Sequence, residues 1–250
     1  ANQKSLDRRV AVKVLPRHVL LTEKEVLRFR REARTAARLC HTNIVPVFGV
    51  GEHDGLHYYV MPLVQGVGLN QRIAELKSGG SPRPGPRGAS SSAEHWRLVA
   101  DVGLQVAEAL AYAHGQGTLH RDIKPSNLLI NEQGTVCLAD FGLARPIRRN
   151  GDALGEAVGT LRYAAPEQLA GKPDARSDIY SIGLTLYELA VLRPALDDSA
   201  ARGGLSPGRN PPQPPRPRTI DPAIPRDLES IILKCLADDP ERRYGDAAAL

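Results

Sequence analysis

The sequence predicts an α+β fold in two unequal parts, a small β-rich one to about residue 60 and a larger, mostly helical one from about residue 69. Three observations predict it. Runs of strand length, rich in β-branched and aromatic residues, fill 9–15, 43–50 and 55–61. Apolar residues then recur at helical spacing in 95–115, 174–190 and 228–236. Between the helices stands His120-Arg121-Asp122-Ile123-Lys124-Pro125-Ser126-Asn127, a polar segment with apolar runs on either side. Strands gathered ahead of helices are the pattern of an α+β chain rather than of alternating βαβ units.

Taken in order, Arg9-Val10-Ala11-Val12-Lys13-Val14-Leu15 reads as a strand with one lysine inside it. By pattern alone Lys13 is either an edge residue whose head reaches water or a buried cation in need of a partner. Thr22 to about Leu39 reads as a helix, with Thr22 and Glu25 spaced as a capping box and Val26, Phe29, Ala33, Ala36 and Ala37 on one side. Glu32 lies on that helix, where Arg28 four residues back is one available partner. The strands 43–50 and 55–61 flank a Gly-Glu-His-Asp-Gly turn, and Met61-Pro62-Leu63-Val64 follows. Residues 78–94, rich in Gly, Ser, Pro and Arg, carry almost nothing apolar to bury and read as a disordered insertion. Trp96, Val99, Val102, Val106, Leu110 and Ala113 make the next helix amphipathic. Leu128–Ile130 and Val136–Ala139 read as a hairpin about Asn131-Glu132-Gln133-Gly134, leading into Asp140-Phe141-Gly142. Asp178 sits in an apolar helix, so its carboxylate requires hydrogen-bond donors. The Pro/Gly-rich 198–218 reads as an extended loop.

The ordered set Val-Ala-Val-Lys at 10–13, His-Arg-Asp at 120–122 with Lys124 and Asn127, Asp-Phe-Gly at 140–142, Ala-Pro-Glu at 165–167 and Asp-Pro-Glu-Arg-Arg-Tyr at 239–244 resembles the protein-kinase catalytic domain in its bacterial Ser/Thr form. The resemblance covers nearly all 250 residues. It implies a two-lobed protein-kinase-like fold, with residues 1–60 a partial N-lobe, 61–68 the hinge and 69–250 the C-lobe. It implies ATP and Mg²⁺ as cofactors, with Lys13 on the nucleotide's phosphates and Glu32 as its partner. Ala11, Met61, Val64 and Leu129 are expected around the adenine, Met61 as gatekeeper and Val64 through its main chain. Asp122 is expected as general base, Lys124 as the cation near the transferring phosphate, and Asn127 and Asp140 as metal ligands. By the same resemblance Asp178 bonds the backbone of the catalytic loop, Arg243 pairs with Glu167, and His120 packs rather than acting as a base. Lys124 together with Thr160 resembles Ser/Thr rather than Tyr kinases. Pro62 departs from the family, which usually has an acidic residue there. Arg121 resembles the mark of kinases whose loop is ordered by a phosphate, yet 143–159 holds no Ser, Thr or Tyr. The family's glycine-rich phosphate loop is expected some 20 residues before Lys13, and Ala1–Arg9 contains no glycine, so the chain is read as starting past it.

Composition fits this reading. Apolar content of 42% and charged content of 24% are those of a globular protein. A net charge of +5 without long basic runs argues against a nucleic-acid partner. The expected partners are proteins with Ser/Thr acceptors. No apolar run reaches membrane-spanning length, so any membrane segment is expected beyond the chain's ends. Cys40, Cys137 and Cys235 form no metal or disulfide pattern and are expected as buried thiols in a cytoplasmic protein. The function so read is ATP-dependent phosphorylation of Ser/Thr hydroxyls in signalling. The alternative is a catalytically impaired, kinase-like scaffold or fragment.

Overall fold

The structure, a computed structural model, describes residues 1–15, 22–79, 92–141, 162–196 and 213–250. The strands form two sheets. β1 (Asn2–Gln3), β2 (Arg8–Val14), β3 (Gly49–His53) and β4 (Leu56–Pro62) form an antiparallel sheet in the order β1-β2-β4-β3. β1 pairs with Arg8 and Arg9 of β2, and Ala1 extends the pairing by exchanging backbone bonds of 2.9 Å in each direction with Val10. Helix α1 (Glu23–Ala36) starts on the expected capping box: Thr22 Oγ1 accepts from the Glu25 amide at 3.3 Å, and the Glu25 carboxylate accepts from the Thr22 amide at 2.9 Å. Phe29, Ala33 and Ala36 are its buried stripe, whereas Ala37 is exposed.

The stretch 43–50 differs from expectation. The strand runs Gly49–His53, reaching three residues past the expected end because the hairpin turns at Asp54-Gly55, both with positive φ (50° and 71°), and not over five residues. An Asp-Gly pair with this geometry is the tight two-residue turn whose twist matches the strands, so Gly51, Glu52 and His53 pair instead of turning. Residues 43–45 dock on the larger lobe. Leu138 donates to Asn43 O (2.8 Å), Val45 donates to Leu138 O (2.9 Å), and the Asn43 amide bonds Gln105 and Val136 O, both at 2.8 Å. Ile44 and Val45 are buried by this docking, which is why β-branched residues occur there without a strand.

The larger lobe opens with β5 (Gly66–Gly68) and α2 (Leu69–Lys77). It continues through α3 (Ser92–Gly115), β6 (Leu128–Asn131), β7 (Val136–Leu138), α4 (Pro166–Leu169), α5 (Ala175–Val191), α6 (Pro217–Ile220) and α7 (Arg226–Cys235). β5, β6 and β7 form a second antiparallel sheet in that order. Helix α3 begins at Ser92, three residues inside the stretch read as an insertion, and 80–91 lie outside the described residues. So do 197–212, and Pro217–Ile220 at the end of the supposed extended loop is a helical turn. Helix α5 is buried along Ser177–Ala190 between α3 and α7. A side chain at Gly183 would come within 2.5 Å of Cys235 Cβ, so its absence lets α5 and α7 approach closely. The cysteines are all free, but only Cys235 is buried. Cys40 lies exposed beyond α1, and Cys137 is half-buried on the outer face of β7. Burial raises the thiol pKa of Cys137 and pushes that of Cys235 up to about 12. Among the described residues no helix is long and apolar enough to cross a membrane.

Candidate active site

The register of β2 on β4 builds the upper wall of the site. Ala11 lies opposite Met61 and Lys13 opposite Tyr59, and alternation along each strand puts all four on one face. Val64 follows β4, half-buried, and Leu129 lies on the half-buried face of β6, opposite the fully packed Leu128 and Ile130.

The lower wall is the segment 120–127. Asp178, with no exposed surface, accepts from the amides of His120 (2.8 Å) and Arg121 (2.7 Å), and its Oδ2 lies 2.8 Å from His114 Nε2. The Arg121 carbonyl receives the Gln168 amide at 2.6 Å. Both peptide groups of Arg121 are thus tied down, and its φ of 66° is a left-handed value that costs a non-glycine residue about 1–3 kcal/mol unless it is held. His120 is fully buried. Its Nε2 bonds Ala139 O (2.9 Å), its Nδ1 accepts from the Asp122 amide (3.2 Å), and its ring stands 4.6 Å from Phe141. Burial lowers its pKa despite the surrounding carboxylates, which suits a neutral packing residue.

Asp122 is brought together with Asn127 and Lys124. Its Oδ2 accepts from Asn127 Nδ2 at 2.9 Å and pairs with Lys124 Nζ at 2.9 Å, and Asn127 Nδ2 also bonds Asp122 O at 2.8 Å. With its nitrogen committed, the Asn127 amide turns its oxygen away from Asp122. Asp140 stands at the end of β7 with φ 66°. Its Oδ2 receives Lys13 Nζ and its Oδ1 the hydroxyl of Tyr59.

One expected pair does not form, and two residues of the site were not singled out by sequence. Among the described residues no Lys13–Glu32 pair forms. Lys13 turns to Asp140, and Glu32 faces Arg121 at 3.9 Å. Half-burial raises the Glu32 carboxyl against the lowering pull of Arg28, Arg121 and Arg31. Lys13 is nearer a carboxylate that the site itself supplies, and α1 leaves Glu32 beside Arg121. Tyr59 was not singled out by sequence. The available signal was a hydroxyl two residues before Met61 in a strand that reads as buried, where a tyrosine needs a hydrogen-bond partner. Its burial, then the Asp140 carboxylate, keeps the phenol protonated far above its usual range, so it serves as a donor. Gln168 was likewise missed, since nothing local marks a glutamine after Glu167 as a partner for Arg121.

Farther out, the Arg243 guanidinium, without exposed surface, grips Glu167 through two bonds of 2.7 and 3.1 Å. Burial works to raise the Glu167 carboxyl, but the bonds from Arg243 and Ser177 outweigh it and hold the group below the usual carboxylate range. Gly142, the segment 143–159 and Thr160 lie outside the described residues.

The two lobes, the tethered segment and its facing aspartates are those of a protein kinase domain. Residues 1–250 match that family's description, protein kinase domain, from end to end, and the chain belongs to it. Among its relatives, the serine/threonine-protein kinase PknB of Mycobacterium tuberculosis is 37% identical over 254 residues, covering 98% of this chain and 38% of that protein. The serine/threonine-protein kinase PrkC of Bacillus subtilis is 33% identical over 244 residues, 97% of this chain and 35% of that protein. The crystal structure of the Mycobacterium tuberculosis PknI kinase domain superposes with a TM-score of 0.70 at 31% identity, covering 96% of this chain and 84% of that one. The chain spans a little over a third of the length of these curated relatives. Use of ATP and a divalent metal is general in the family.

Proposed function

We propose that this domain transfers the terminal phosphoryl group of ATP to Ser or Thr hydroxyls of proteins. The observation that carries the reading is the posture of Asp122, whose Oδ2 is committed to Asn127 and Lys124 on a segment anchored by buried Asp178. That leaves Oδ1 to accept the proton of an incoming hydroxyl, a contribution of roughly 10²–10⁴ in rate. Lys124, beside it, supplies positive charge where the transferring oxygens gather. Asp140 and Asn127 offer a carboxylate and an amide oxygen, the hard donors that Mg²⁺ prefers alongside phosphate oxygens and water, so the residues present fit the ion. Bound there, Mg²⁺ neutralises charge on the phosphates. Lys13 reaches the same place and would hold the phosphates, while Ala11, Met61, Val64 and Leu129 would enclose the base. Glu32 would serve Lys13 only after leaving Arg121.

The domain's setting in this reading is the cytoplasm, supported by three free thiols, and its partners are protein substrates. The names of PknB and PrkC support Ser/Thr acceptors. Phosphoamino-acid analysis of a generic protein substrate should return phosphoserine and phosphothreonine, and a phosphotyrosine majority would refute the acceptor class. Asp122→Asn should bind nucleotide within a few-fold of the parent and lose transfer by about 10²-fold or more. Unchanged turnover would overturn the role of Asp122.

A further inference from the structure

Asp140 is held at both oxygens by neighbours that differ in kind. Lys13, on Oδ2, has a side chain 43% exposed and carries its charge on a four-carbon stem with many rotamers. Tyr59, on Oδ1, is 1% exposed, turns about only two torsions, and lies in the middle of β4 between β2 and β3. The pairing of Lys13 with Tyr59 across the strands is what points both at one carboxylate. Lys13 can let go of Asp140 by rotating its stem into solvent or onto a phosphate. The Tyr59 oxygen can move away only if the strand moves, because its ring is packed in the core, which leaves the hydroxyl hydrogen as its one free rotor. One oxygen thus has an exchangeable partner and the other a fixed one. Asp140 itself lies two residues past Leu138, the last residue of β7, with a left-handed φ of 66°.

We infer that Tyr59 is a positioning residue for the metal ligand: its hydroxyl fixes the Asp140 carboxylate through Oδ1 and presents Oδ2 for exchange between Lys13 and a divalent cation. The inference rests on the reading of Asp140 as a metal ligand. Hydrogen-bonding partners behind a metal-binding carboxylate commonly contribute 10- to 100-fold in metal affinity or activity, and this one is neutral, so it orients the ligand without cancelling its charge.

The test is binding without turnover. A fluorescent, non-hydrolysable ATP analogue is titrated into the 250-residue chain with and without Mg²⁺, and the ratio of the two dissociation constants measures the metal's share of affinity. Tyr59→Phe, which keeps the ring and removes only the hydroxyl, should lower that ratio about 10-fold while the metal-free constant stays within twofold. Tyr59→Met also lacks the hydroxyl and fills the space with a flexible apolar chain; it must give the same lowered ratio and guards against a folding defect peculiar to one variant. Asp140→Asn should bring the ratio to within twofold of one, and adding Tyr59→Phe to it should change nothing further, the non-additivity expected of groups acting as one unit. An unchanged or increased ratio in Tyr59→Phe, or an equal loss in both arms, overturns the inference. If Asp140→Asn itself keeps the parent's ratio, the reading of Asp140 as metal ligand fails instead.

Discussion

Glu167→Gln isolates the value of the pair that fastens Arg243 to Glu167 at the start of α4. In the parent, Glu167 Oε1 accepts from Arg243 Nη1 at 2.7 Å and from Ser177 Oγ at 2.7 Å, and Oε2 accepts from Nη2 at 3.1 Å. The amide keeps size and shape and can reproduce the first two bonds, but its NH₂ group then faces Nη2, donor against donor. The larger effect is that Arg243 stays fully buried without a countercharge. Breaking a buried pair in this way costs about 3–5 kcal/mol. Three carbonyls still hold the guanidinium, those of Ala237 (2.8 Å), Arg176 (3.0 Å) and Asp238 (3.3 Å), and Glu167 is 17% exposed, so the lower end, ~3 kcal/mol, applies. At about 2–4 °C per kcal/mol for a domain of this size, Tm should fall by about 6–12 °C at pH 7. The pH dependence follows from linkage. Because Glu167 has its folded pKa depressed below the ordinary 4.5, its stabilisation is complete above that value and is lost as pH falls through the folded pKa. The gap in Tm between parent and variant should therefore be constant from neutral pH to about 5 and narrow below 4.5. Thermal melts across that range decide it, and a shift under about 2 °C at pH 7 would refute the reasoning.

Lys13→Met should abolish phosphate transfer, and retention of normal activity in a transfer assay would remove Lys13 from the site. Thr22→Ala deletes the capping oxygen of α1 and should cost about 1 kcal/mol, read as a lower urea midpoint at unchanged slope; no change would mean that the cap is already frayed in solution. A thiol reagent at mildly alkaline pH should modify Cys40 first, Cys137 more slowly and Cys235 only on unfolding, followed by mass of labelled peptides. Rapid labelling of Cys235 in the native state would contradict the close packing of α5 on α7.

What could be read from sequence was local. The Thr22–Glu25 box, the hairpin about Asn131–Gly134, and the need of Asp178 for donors depend on residues a few positions apart or on one buried polar group. The grip of Arg243 on Glu167 spans the lobe, and only the family resemblance brought it within reach. The Asp-Gly turn at 54–55 was also written in the chain, but β-branched residues at 44, 45 and 47 obscured it by imitating a strand. Residues 44 and 45 are apolar because they dock on the larger lobe beside β7, Val47 is buried in the core, and periodicity cannot tell such burial from strand pairing. The partner of Lys13 was out of reach for a different reason. Which of two carboxylates it meets depends on where α1 rests against the other lobe, and that placement is a property of the assembled molecule. Tyr59 falls between these cases, since its need for a partner was legible but the identity of Asp140 was not.

The docking of residues 43–45 has a mechanical consequence for α1. Just beyond its last turn the chain is tied to the larger lobe: the Cys40 amide donates to the Tyr112 hydroxyl (3.1 Å), His41 stacks on Tyr112, and Asn43 is bonded to Gln105 and β7. Any swing of α1 therefore pivots near its C-terminal end. Glu32 lies four residues from Ala36, a lever arm of about 6 Å, whereas Glu23 at the far end lies about 20 Å out at 1.5 Å per residue. A rotation of ~20° moves the first by about 2 Å and the second by about 7 Å. The α1 carboxylate that faces Arg121 thus sits at the slow end of the lever. A push on the exposed tip of α1 is geared down more than threefold before it reaches Glu32, so a large displacement at the tip makes only a small change in the contact of Glu32 with Arg121.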